Sequence, residues 1–239
     1  MIKKSKIKIP ALPAGRQKSK LKAVIFDMDG LMLDTEPAMS ASYEAVIKEY
    51  GKKPIFDSKT GLLHQVGLGK VIMNQILEKH NIKEDIEILR QKRRSYYLKI
   101  MEKKELLLMK GLTKIINLLK AKNIKLAVAS NSNIGGIKRN LKKIKLNSFF
   151  EVLSSGEQVE NYKPYPDIYL ETAKRLNLAP SECLVLEDSE SGVESGKAAG
   201  MKAIAVPSKY TKHQDFSKAD LIVNSLEEIT WEKIQKLFT

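Results

Sequence analysis

The sequence predicts an α/β protein, a Rossmann-like parallel sheet core with an inserted α-helical cap domain. Three observations predict it. Short apolar runs that break off in polar residues recur along the chain, helical patterns separate them through the second half, and one long stretch, residues 37–108, is helical without an intervening strand. Strands that alternate with helices imply a parallel sheet covered on both faces.

At the start of the chain, residues 1–22 hold eight Lys/Arg and no acid, more than half of the formal net charge of +14. With Pro10, Pro13, Gly15 and no apolar period, residues 1–20 read as a basic disordered leader. Its role is open, and a polyanion-binding arm is one reading. Leu21 to Phe26 then forms a β-branched and aromatic run ending in Asp27-Met28-Asp29-Gly30, the pattern of a buried strand feeding a loop.

Residues 37–108 follow, with helical patterns over 37–50, 68–80 and 84–103. An insertion that leaves the first strand's loop sits over the carboxyl edge of the sheet, where open parallel sheets bind ligands. It is expected to act as a cap, its linkers near Glu36–Pro37 and Leu108–Gly111 serving as hinges, with Pro37 holding the first one extended. The basic residues between Arg90 and Lys104 alternate with Tyr96, Tyr97, Leu98 and Met101, which suits the solvated face of an amphipathic helix better than a nucleic-acid surface. His64 and Gly67, in the loop 61–67, are candidate specificity residues because its glycines allow close approach to a ligand; a plain connection between helices is the alternative.

The core resumes at 109–239. Helix 112–122 leads to an apolar run at Ile124–Ala129 that ends in Ser130-Asn131-Ser132. A helix at 135–143, a short run at Glu151–Leu153 and a helix at 166–177 come next. Cys183–Leu186 ends in Glu187-Asp188, and a helix at 191–199 precedes Met201–Val206. Two units, a core of 21–36 with 109–239 and a cap of 37–108, fit the length.

What remains bounds the setting. No apolar stretch is long enough to span a membrane, and the single cysteine, Cys183, cannot form an internal disulfide, so a cytoplasmic monomer is expected. Cys183 opens an apolar run and reads as an inert buried thiol. None of the three histidines has metal-ligand spacing, and none is assigned to catalysis.

The polar residues that need explaining follow apolar strands. They are Asp27, Asp29, Ser130, Glu187 and Asp188, with Lys163 in a later loop, and this topology brings strand ends to one edge. Carboxylates gathered there repel one another, and a hard divalent cation is the natural remedy. A lysine and a hydroxyl beside them suit a phosphoryl group. The combination points to phosphoryl transfer.

Four segments carry a family resemblance: Phe26-Asp27-Met28-Asp29-Gly30-Leu31-Met32-Leu33-Asp34-Thr35-Glu36, Ala129-Ser130-Asn131-Ser132, Lys163-Pro164-Tyr165-Pro166-Asp167, and Leu186-Glu187-Asp188-Ser189-Glu190-Ser191-Gly192-Val193. Their order and spacing resemble the haloacid-dehalogenase-like hydrolases with a helical cap, over roughly residues 21–225. The resemblance implies a magnesium-dependent phosphatase working through an aspartyl-phosphate on a small phosphorylated metabolite, a sugar phosphate or nucleotide-like compound. It implies Asp27 as nucleophile and Asp29 as general acid and base. Ser130, Asn131 and Lys163 would bind phosphate. Asp27, the main-chain carbonyl of Asp29, Glu187 and Asp188 would hold Mg2+, with Glu187 direct or through water.

Two other readings stay open. A sugar-phosphate mutase of the β-phosphoglucomutase type shares the four motifs but carries a histidine where Met39 stands here. A non-catalytic or polyanion-binding protein on the same scaffold is the second, and the intact acidic set argues against it.

Overall fold

A computed structural model describes residues 21–53, 69–103 and 105–239. The core is one six-stranded sheet, all parallel, built from β1 (Ala23–Phe26), β2 (Lys125–Ser130), β3 (Val152–Ser155), β4 (Cys183–Glu187), β5 (Lys202–Ala205) and β6 (Leu221–Ile222) in the order β3-β2-β1-β4-β5-β6. β1 lies between β2 and β4, so the chain reverses its direction of growth beside it. That is the switch point at which such sheets leave a crevice.

Strand alternation sorts the core into two layers. Val24, Phe26, Leu126, Val128, Leu184 and Leu186 face one way and meet α4 (Leu112–Ala121), α5 (Ile134–Lys143) and α8 (Trp231–Leu237). Ala23, Ile25, Ala127, Ala129, Cys183 and Val185 face the other and meet α6 (Asp167–Leu176) and α7 (Glu190–Ala198). Every residue of β1 is buried, which is why it reads as a continuous apolar run. Phe26 meets Phe150 edge to face, with centroids 5.8 Å apart.

Between β1 and α4 the described residues form three helices, α1 (Glu36–Glu49), α2 (Gly69–His80) and α3 (Ile86–Lys103). Tyr43, Val46 and Ile47 of α1 share an apolar cluster with Met73 and Ile76 of α2 and Leu89 of α3. This is the inserted helical region, with a core of its own.

Its two connections to the sheet pair with each other. Leu33 and Leu108 form an antiparallel bridge, flanked by the bonds Asp34 N to Leu107 O at 3.0 Å and Met109 N to Met32 O at 2.9 Å. Pro37 departs from its expectation, since it stands in the first turn of α1 instead of an extended linker. A missing N–H costs nothing there. Gly111 has φ +91, and a Cβ on it would meet the Glu227 amide nitrogen at 2.3 Å, so close packing as well as conformation requires glycine. β6 and α8 lie beyond the elements expected from sequence; two and seven residues are too few for a clear period.

Candidate active site

Strand register assembles the site. Phe26 is level with Val128 and with Leu186, so the next residues, Asp27, Ala129 and Glu187, stand side by side across three strands at the carboxyl edge. Lys163 closes this row. Its Nζ donates to Asp27 Oδ1 at 2.6 Å, Glu187 Oε1 at 2.6 Å and the Ala129 carbonyl at 2.9 Å, which uses all three ammonium protons. Asp27 is 7% exposed, Lys163 8% and Glu187 0%.

Glu187 is bonded through both oxygens. Oε1 also accepts from the Tyr169 hydroxyl at 2.7 Å, and Oε2 accepts from the Asp188 and Ser189 amides and from Ser189 Oγ. Ser189 in turn caps α7 by accepting from Gly192 N at 3.2 Å. Asp188 is different: it is 2% exposed, yet its Oδ2 has no hydrogen-bond partner.

Asp29 sits across the loop. Its Oδ2 accepts from Ser132 Oγ at 2.7 Å and Ser130 Oγ at 3.1 Å, while its buried Oδ1 has no partner. A serine just before a helix ordinarily caps it. Asn133 does that work instead, its side chain accepting from Gly136 N at 2.9 Å, which leaves both serines to Asp29. Asn131 Oδ1 accepts from the Lys163 amide at 3.4 Å. Thus Asp27, Asp29, Ser130, Asn131, Lys163, Glu187 and Asp188 converge, whereas His64 and Gly67 lie outside the described residues.

Tyr169, Ser132 and Ser189 belong to this network and were not singled out from sequence. Ser132 and Ser189 lie inside motif segments, so their place in strand-end loops was the available signal, whereas Tyr169, beyond the end of one, carried none.

Crowded carboxylates shape the electrostatics. Burial pushes Asp27 up to about 8, aided by Glu187 and Asp29 and opposed by Lys163. Asp188 is raised well above the carboxylate range by burial, then by Asp27 and Glu187. Burial alone would lower Lys163, but Asp27 and Glu187 outweigh it and hold the ammonium well above the usual lysine range. One lysine does not balance so many acids.

A divalent cation fits the donor set. Carboxylate oxygens of Asp27, Glu187 and Asp188 lie within 4.8 Å of one another, all three residues are buried, and Asp188 Oδ2 lacks a partner. Gly30 holds the space open beside that oxygen, at φ +94. Hard oxygen donors of this kind suit magnesium.

A family model described as "Haloacid dehalogenase-like hydrolase" matches residues 24–206, most of the chain. The chain belongs to this hydrolase family. It falls in the β-phosphoglucomutase/CbbY-like branch. Among the relatives of this hydrolase is the "Phosphorylated carbohydrates phosphatase" of Thermotoga maritima, 33% identical over 77% of this chain and 84% of that protein. The "Beta-phosphoglucomutase" of Bacillus subtilis is 27% identical over 90% and 95%. The crystal structure of CbbY from Rhodobacter sphaeroides in complex with phosphate superposes with TM-score 0.77 at 25% identity, covering 87% of this chain and 96% of that one. A further structure of CbbY contains xylulose-(1,5)bisphosphate. No helix among the described residues is long and apolar enough to cross a membrane.

Proposed function

We propose that this hydrolase is a magnesium-dependent phosphatase that removes phosphate from a small phosphorylated metabolite, with a sugar phosphate favoured by its relatives. The observation that carries this reading is the buried row of Asp27, Lys163 and Glu187, with the unpartnered oxygens of Asp29 and Asp188 opening beside it.

Asp27 and Asp188 would hold the cation together with the main-chain carbonyl of Asp29; Glu187 acts from outside, because both its oxygens are already bonded. When bound, the cation supplies positive charge that favours the ionised form of Asp27 and offsets charge on the phosphoryl oxygens.

The chain's own groups do the rest. Asp27 attacks phosphorus, an O–P bond forms to its carboxylate, and the bond to the leaving oxygen breaks. Asp29 gives that oxygen a proton from Oδ1, while Ser132 fixes the carboxyl by holding Oδ2, and Ser130, which shares that oxygen in the free protein, turns its one proton to the phosphoryl group. Water then attacks phosphorus of the aspartyl-phosphate and loses its proton to Asp29, the P–O bond to Asp27 breaks, and inorganic phosphate leaves with the Asp27 carboxylate restored. Lys163 keeps Asp27 aimed from the sheet edge and shares the charge of the phosphoryl group with the amide of Asn131 and the Ser130 hydroxyl. The inserted helices, roughly residues 37–108, would close over the reaction and exclude bulk water.

A phosphatase is favoured over a mutase by Met39, which packs among cap apolar residues and offers no proton-transfer group where the mutase has a histidine. The test is phosphate release from a panel of sugar phosphates and nucleotides with and without magnesium. Isomerised sugar phosphate without free phosphate would replace this reading by the mutase one.

A further inference from the structure

The chemistry above gives Tyr169 no task, although it stands against the group that ties the row together. It is the third residue of α6 and fully buried, and the Lys163 ammonium lies over its ring, 5.0 Å from the centroid. Its hydroxyl donates to Glu187 Oε1 at 2.7 Å, the same oxygen that accepts from Lys163 Nζ at 2.6 Å. Two donors meet on one atom.

The segment that carries both residues is pinned. Asp167 Oδ1, in the first turn of α6, accepts from the Asn161 side-chain amide at 3.1 Å across the base of the Lys163 loop, and Ser195 Oγ of α7 donates to the Tyr165 carbonyl at 2.6 Å. The ring, the hydroxyl and the lysine are thereby set against one another by a short stretch of chain. Phenylalanine would fill the same space and pack the same sheet face, so the core has no need of the hydroxyl. What the hydroxyl adds is one charge-assisted hydrogen bond to a carboxylate that only accepts.

That bond bears on a contest. Asp27 Oδ1 and Glu187 Oε1 compete for one ammonium at the same distance, 2.6 Å. A second donor on Oε1 satisfies part of the Glu187 charge and weakens its claim on the lysine; without it, Lys163 would be drawn toward Glu187 and away from Asp27.

We propose that Tyr169 is a positioning residue for the reaction: by sharing Glu187 Oε1, its hydroxyl keeps the Lys163 ammonium centred on Asp27 and free to meet the phosphoryl group. Tyr169 acts only through Glu187 and Lys163. Its part in turnover rests on the phosphatase reading, whereas the placement of the lysine can be measured in the resting protein.

The test compares the full chain with Tyr169→Phe, which keeps the ring. With lysine isotope-labelled at the side-chain nitrogen and no metal or substrate present, the Lys163 ammonium is followed by NMR and assigned by its absence from Lys163→Arg. It should give a resolved, slowly exchanging signal in the unaltered protein, and Tyr169→Phe should speed exchange of its protons by about tenfold, the scale of one charge-assisted bond. In steady state with magnesium, on the best substrate of the phosphate-release panel, Tyr169→Phe should lower kcat about tenfold and leave KM within about twofold, because a misplaced group is felt in the transition state. A tyrosine that only fills space would lose melting temperature alone on this change, so an unchanged exchange rate or an unchanged kcat overturns the proposal. A Lys163 ammonium already in fast exchange in the unaltered protein overturns it too, and that measurement needs no variant to fold. Should no substrate release phosphate, the phosphatase reading fails while the exchange comparison still decides whether Tyr169 places the lysine.

Discussion

Gly30 and Asp188 approach so closely that a Cβ on Gly30 would lie 2.2 Å from Asp188 Oδ2, at a backbone φ of +94. Gly30→Ala must therefore displace the carboxylate whose free oxygen faces the proposed cation. Magnesium affinity should fall at least tenfold and phosphate release with it, while backbone strain costs about 1–3 kcal/mol. Calorimetric magnesium titration and thermal melting check both; unchanged magnesium binding would sink the proposed role of Asp188.

Asp27→Asn should abolish turnover and leave the fold intact, since an amide cannot attack phosphorus but can still accept from Lys163. Phosphate release by a clean preparation at more than about a thousandth of the unaltered rate would remove the covalent mechanism.

Lys163→Met should be far more damaging to stability than to shape. It leaves Asp27 and Glu187, both within 2.6 Å of the lost ammonium, buried without a counter-charge. Breaking a buried pair in this way costs about 3–5 kcal/mol. Denaturant midpoints measure the loss, and a change under about 1 kcal/mol would mean the row is held mainly by backbone contacts.

Chelation makes stability depend on pH in a defined direction. Asp27 has an ordinary value of 3.8 and about 8 when folded, so the native state keeps a proton that the unfolded chain gives up between those values. Its contribution is complete below the unfolded value and is lost as pH rises through the folded one. Asp188 acts in the same direction. In chelator, the melting temperature should fall from pH 5 to pH 8, and magnesium should reduce that fall. A flat or rising profile in chelator counts against these shifts.

Asp29→Asn should slow an alkyl phosphate much more than a nitrophenyl phosphate, whose leaving oxygen needs no proton. Ser132→Ala, which loosens the held oxygen of Asp29, should show the same bias at about tenfold. Equal losses of kcat/KM, which reports the first transfer alone, would remove Asp29 as the acid that protonates the leaving oxygen.

Legibility in the sequence followed the strength of each local signal. The five longer strands were readable because each is an apolar run cut off by polar residues, and those same cut-off points supplied Asp27, Ser130 and Glu187. The hydroxyl of Tyr169 was not readable: its partner, Glu187, is 18 residues away, and only helix packing on the sheet brings them together. Pro37 misled because proline suits both an extended linker and a helix's first turn. The division of labour among Ser130, Ser132 and Asn133 likewise needed coordinates, since any of the three side chains can cap a helix.

The row that Lys163 ties together draws on chain positions separated by 136 residues for Asp27 and 24 for Glu187. A ribosome must therefore deliver β4 before the first strand has both of its neighbours. Until then the nascent chain displays Asp27 at an unfinished edge, and Lys163, though already made, lacks Glu187 to complete the row. A chain cut before Cys183 should consequently be inert toward phosphate esters even if its helices form, and recovery of activity during synthesis would time the docking of β4 beside β1.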